Sequence, residues 1–66
     1  MIMKVWTMRY VGPRDNRAPG GFINVPSRNQ TGRPTTSEIR EALQSLGYSS
    51  ADANALAGPD SWWQAL

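Results

Sequence analysis

Glu38 and Glu41 stand three residues apart in a stretch patterned as a helix, a spacing that lets two carboxylates share one face. Among the five carboxylates (Asp15, Glu38, Glu41, Asp52 and Asp60) this is the pair whose spacing suits general acid–base work. Both fall in the first turns of the expected helix, where unpaired backbone N–H groups favour negative charge, so a capping role explains them as well. The rest of the catalytic inventory is thin. The chain has no histidine and no cysteine, hence no imidazole base, no thiolate nucleophile, no disulfide framework and no common transition-metal ligand. The serines lack a base, and Lys4, the sole lysine, has no serine partner by motif. Gly20, Gly21, Gly32, Gly47 and Gly58 form no phosphate loop. The expectation is a protein with no catalysis, no metal and no cofactor.

Contact is the remaining chemistry, and arginine dominates it. Six of the seven cations are arginine, the residue suited to planar, bidentate contacts with phosphate or carboxylate. The net charge of +2 hides an asymmetry. Residues 1–33 carry six cations against Asp15 alone, a net of +5, and residues 34–66 carry Arg40 against four acids, a net of −3. A basic first half suits a polyanion, an acidic protein surface, or the acidic half of its own or a twin chain. Arg9, Arg14, Arg17, Arg28 and Arg33 surround a segment bearing Trp6, Tyr10 and Phe22, an arrangement that can grip phosphates while bases stack. Gly32-Arg33-Pro34 also resembles the core of the AT-hook, with Thr31 and Thr35 in place of its flanking basic residues. Trp62 and Trp63 are adjacent, so on a helix they would point about 100° apart, one buried and one free to anchor a partner.

These residues need elements to hold them. Met3 to Val11 is rich in β-branched and aromatic residues and reads as a strand. Trp6, Met8 and Tyr10 fall on one face, and Met3, Val5, Thr7, Arg9 and Val11 on the other; neither is cleanly polar, which suggests cover on both sides. Gly12 to Gly20 is a loop, and Phe22 to Val25 a second strand closed by Pro26, together an antiparallel hairpin with a long connection. Ser27 to Pro34 reads as a mobile polar loop. Thr35 and Glu38 form a capping box, and Ile39, Ala42, Leu43 and Leu46 then trace one apolar helix face up to Gly47. Ser49 or Ser50 caps a second helix with Ala53, Leu56 and Ala57 inward, ended by Gly58-Pro59. Asp60 or Ser61 can cap a third short helix over Trp62 to Leu66. Met1, Met3 and Met8 suggest gap-filling or contact surface. Asn29-Gln30-Thr31 has the form of a glycosylation sequon, read as chance without a secretory signal.

The stretch Leu43-Gln44-Ser45-Leu46-Gly47-Tyr48, followed by Ala53 and Leu56, resembles the ubiquitin-associated-like (UBA-like) three-helix motif over residues 37–66. In that family a hydrophobic-glycine-aromatic turn joins the first two helices. The physical basis is legible: Gly47 takes positive φ freely, and Tyr48 folds back on the helix bearing Leu43 and Leu46. The second helix is shorter than the family's, and its Ala55-Leu56 pair stands one position early. The resemblance implies an architecture and a habit of binding proteins; it does not imply ubiquitin as the ligand.

Together these readings predict a single α+β domain over residues 1–66: a basic N-terminal antiparallel β-hairpin (1–33) packed on two or three short C-terminal helices (34–66). A chain of this length buries only about 60% of its unfolded surface, so a homo-oligomer or standing partner would relieve marginal stability. No apolar run approaches the roughly 18 residues of a membrane span, and Lys4 and Arg9 interrupt the first apolar stretch, so a cytoplasmic protein with no membrane contact is expected. The expected function is non-catalytic protein–protein contact, covering or bridging a macromolecular surface, with Arg9, Arg14, Arg17, Arg28 and Arg33 on an anionic patch and Trp62 or Trp63 as apolar anchor. Size alone links such a chain to accessory or inhibitor proteins of phages and mobile elements. The alternative is a DNA- or RNA-binding module built on the arginine-rich hairpin.

Overall fold

A computed structural model describes residues 3–29 and 32–66. Strand β1 spans Lys4–Tyr10 and β2 spans Phe22–Ser27, antiparallel, with Trp6 opposite Val25 and Met8 opposite Ile23. The expected α+β class and the antiparallel hairpin are present. Strand β2 runs past Pro26, which the sequence reading had taken as its end. The reason lies in the ladder. The Leu66 N–H donates to Thr7 O on the far side of β1, so the odd-numbered residues of β1 aim their backbone away from β2. Pro26 stands opposite Val5 and therefore turns its nitrogen to the free edge, where a missing N–H breaks no bond.

Helix α1 covers Thr36–Ser45 and α2 covers Ser50–Ala57. The capping box forms as expected: Thr35 accepts from the Glu38 N–H, and the Glu38 carboxylate accepts from the Thr35 N–H. Ser49 caps α2 by accepting from the Asp52 N–H. Gly47 adopts φ +108° at the turn between them, a conformation that favours glycine. Ile39, Ala42 and Leu43 are buried, but Leu46 is exposed. It stands at the C-cap, and the chain turns away before its side chain reaches the core.

The third helix expected over Trp62 to Leu66 is absent. Asp60–Trp62 make one 3-10 turn, and Trp63–Ala65 form strand β3, antiparallel to β1, so the sheet order is β2-β1-β3. The open edge of β1 offered this tail backbone partners that a short helix lacks: Val11 N–H donates to Trp62 O, and Leu66 N–H to Thr7 O. Five residues are too few for a helix to hold itself against that competition. The turn ends at Trp62 and the strand begins at Trp63, so the neighbouring tryptophans part company: Trp63 goes into the core and Trp62 to its margin.

One face of the sheet and both helices enclose a single core of Met8, Ile23, Val25, Ile39, Ala42, Leu43, Ala53, Leu56, Ala57 and Trp63. The Trp63 indole N–H donates to Leu56 O at 3.0 Å inside it. Trp62 sits where Gly12 and Gly58 pass; an added Cβ would come within 2.7 Å of its ring from Gly12 and 2.0 Å from Gly58. Among the described residues no element covers the other face of the sheet, contrary to the two-sided cover expected for β1.

Candidate binding surface

Strand alternation builds the outer face of the sheet row by row. Strand β2 alternates strictly, with Ile23, Val25 and Ser27 buried and Phe22, Asn24 and Pro26 exposed. Across from them on β1 stand Arg9, Thr7 and Val5. Strand β3 adds Gln64 beside Arg9, and Leu66 follows beside Thr7. The rows are joined by their own side chains: Thr7 Oγ1 donates to Asn24 Oδ1, and Arg9 Nη2 donates to Gln64 Oε1 at 2.9 Å. Around this polar middle, Val5, Phe22 and Leu66 expose 59%, 61% and 60% of their surface. Three large apolar side chains are thus left in water on one face, around a polar middle.

The arginines singled out in the sequence divide into two groups. Arg17 turns back on its own loop and on α2. It bridges Asp15 at 2.8 Å and Asp52 at 2.6 Å, and its carbonyl accepts from Tyr48 OH. The guanidinium holds the Asp15 carboxyl down at about 2, and the two carboxylates push the Arg17 pKa higher still. Arg33 reaches the tail: it donates to Asp60 O and to Trp63 O, with Asp60 Oδ1 at 3.8 Å. The Trp63 carbonyl lies on the outer edge of β3, so Arg33 caps an edge that would otherwise present a free acceptor. The AT-hook-like arginine is thus held within the fold, and Pro34 beside it is buried.

Arg9, Arg14 and Arg28 have no salt bridge of their own. Arg14 makes no hydrogen bond among the described residues, and the Arg28 guanidinium stands near Glu38. The structure does not gather the five arginines into one patch. It also withdraws Trp63 from any partner, since only 1% of its surface is exposed, and leaves Trp62 partly covered. Lys4 lies over the Trp6 ring at 4.8 Å.

Glu38 is a structural hub. Its carboxylate accepts from Ser27 Oγ, Arg28 N–H and Thr35 N–H. These donors hold its pKa below the usual glutamate value, the Arg28 N–H most strongly. A carboxylate so held is a poor proton donor near neutrality. Ser27 is buried and also accepts from the Asn29 N–H, while Asn29 donates to Arg33 O. The described part of the Ser27–Pro34 stretch is therefore tied down at both ends, where the sequence predicts a mobile loop; Gln30 and Thr31 of the sequon lie outside the described residues, as does Met1. Glu38 and Glu41 share a cleft of about 340 Å³ with Met3, Pro26, Arg28, Ala42 and Ser45. Met8 fills the core, whereas Met3 is exposed.

Val5, Phe22 and Leu66 went unremarked as a surface in the sequence. The alternation Phe-Ile-Asn-Val-Pro-Ser carried the signal for Phe22, because Ile23 and Val25 set the inward parity. Leu66 had no such signal, because its place depends on β3.

No helix among the described residues is long and apolar enough to cross a membrane, and no cluster of three or more acidic side chains is placed to hold a metal ion. Comparison with protein-family models, curated proteins and solved structures found no match.

Proposed function

We propose that this chain is a small binding protein without catalysis that works by covering a surface of another protein with the outer face of its sheet. The observation that carries this reading is the exposure of Val5, Phe22 and Leu66 on a face that no element among the described residues covers. Sheets bury an apolar face against a second layer, and here that layer is missing on one side. The apolar anchor is then Phe22, in place of Trp62 or Trp63. The test is affinity capture from extracts of the source cell with wild type, Val5→Glu and Phe22→Glu, each first shown to be folded by its thermal transition. A protein held by wild type and lost by both variants supports the reading. Identical retention by all three removes it.

Nucleic-acid binding is the second reading, favoured by one observation: exposed Phe22 stands directly across the strand from Arg9, a ring for a base beside a cation for its phosphate. A salt titration against single-stranded and duplex oligonucleotides tests it, since affinity from phosphate contacts falls steeply with salt.

A further inference from the structure

The charge arrangement narrows what the outer sheet face takes. We infer that it docks an acidic amphipathic helix of another protein, whose carboxylate meets Arg9 and whose apolar side chains cover Val5, Phe22 and Leu66; this rests on the protein-contact reading above. On the outward rows of the three strands the one charged side chain is Arg9, while Glu38, Glu41 and Arg28 stand in the cleft beside Met3 and Pro26, at the opposite end from the Arg9 row. The carboxylates are engaged elsewhere: Asp15 and Asp52 with Arg17, Asp60 with Arg33, and Glu38 with its cap and loop, while Glu41 stands on α1. Arg9 has only the neutral Gln64 oxygen, on one of its five N–H donors. That bond steadies the guanidinium and leaves its remaining donors for a planar acceptor, which a carboxylate fits as a bidentate partner.

The dimensions suit a helix. Three strands set about 4.8 Å apart span about 10 Å, one helix diameter. From the Val5–Pro26 row to the Phe22–Arg9–Gln64 row is four residues of strand, about 14 Å, which three turns of helix cover. A second copy of this chain fits less well, because the outward rows of its strands carry no acidic side chain to meet Arg9. An oligonucleotide gains little from a face with a single cation, since such affinity grows with the number of phosphates neutralised.

The test is selection of 15-residue helical peptides from a random displayed library on the full chain, followed by fluorescence anisotropy of the winners. The expected winners carry Asp or Glu within an apolar helical face. Their binding weakens at least about tenfold with Phe22→Glu and with Arg9→Glu. Exchange of the peptide acid for lysine recovers affinity for the Arg9→Glu protein. Both positions are exposed, and circular dichroism of each variant establishes that it folds. Winners that lack an acid, or that ignore Arg9→Glu yet need Phe22, overturn this inference and leave the protein-contact reading standing. Winners indifferent to Phe22→Glu overturn both. Absence of any binder, a concentration-dependent dimer abolished by Phe22→Glu in sedimentation, or salt-sensitive oligonucleotide binding through Phe22 each overturns the inference as well.

Discussion

The two faces of the one sheet are built from the same three strands and treated in opposite ways. The inner face places Met8, Ile23, Val25 and Trp63 against the two helices and leaves them almost no contact with water. The outer face places Val5, Phe22 and Leu66 beside Arg9, Thr7, Asn24 and Gln64 and leaves them open. The inner face supplies the core, while the outer face carries the Thr7–Asn24 and Arg9–Gln64 side-chain bonds and exposed apolar side chains. The arginines repeat the contrast. Arg17 and Arg33 tie the loop at residues 11–21 and the tail to the helices and the sheet edge, whereas Arg9 and Arg14 have no carboxylate partner.

The contrast is breakable by measurement, and the largest effect belongs to the inner face. Trp63→Ala removes a buried ring and orphans the Leu56 carbonyl, at about 3–5 kcal/mol. That is most of the stability expected of a chain this short, so the variant should be largely unfolded in a urea titration. If it unfolds near the wild-type midpoint, β3 is not part of the core. Gly58→Ala comes next. It combines φ +44° with a Cβ driven into the Trp62 ring, and the overpacking alone costs about 1–3 kcal/mol. Gly47→Ala has the strained φ but open space, so its loss should be the smaller, about 1 kcal/mol. Equal thermal shifts for the two glycine variants would show that Trp62 yields easily, and with it the edge of the core.

The tie through Glu38 has a pH signature. Its pKa lies below the unfolded value of 4.5. Its contribution is therefore complete above that value and is lost as pH falls through the lower, folded one. Glu38→Gln should lower stability at neutral pH and flatten the acid limb of the stability–pH curve between those two points. Acid behaviour identical to wild type would mean that Asp15, held near 2, carries the acid limb instead. The smallest effect on stability belongs to the outer face. Phe22→Glu should change unfolding free energy by about 0.5 kcal/mol or less while abolishing partner contact. A large loss would mean that the outer face is structural after all and the contrast between the two faces false.

Much of this fold is written locally. The strand over residues 4–10, the capping box at Thr35 and Glu38, the Ser49 cap and the glycine turn at Gly47 each depend on residues within one turn or one strand of each other, and each is present. The candidate surface was only half legible, because Phe22 follows from strand parity while Leu66 and the fate of each arginine do not.

What the sequence determined by itself was the antiparallel hairpin, the two capped helices, and a set of reactive side chains without imidazole or thiol. The tertiary structure alone decided that Trp63–Ala65 become a strand, that Trp63 is core, and that Arg17 and Arg33 bond to other parts of the chain while Arg9 stands on the outer face of the sheet. The physical reason is sequence distance. Asp60-Ser61-Trp62-Trp63-Gln64-Ala65 is locally compatible with a helix, and only the unpaired edge of β1, more than fifty residues earlier in the chain, supplies the hydrogen bonds that make Trp63–Ala65 a strand.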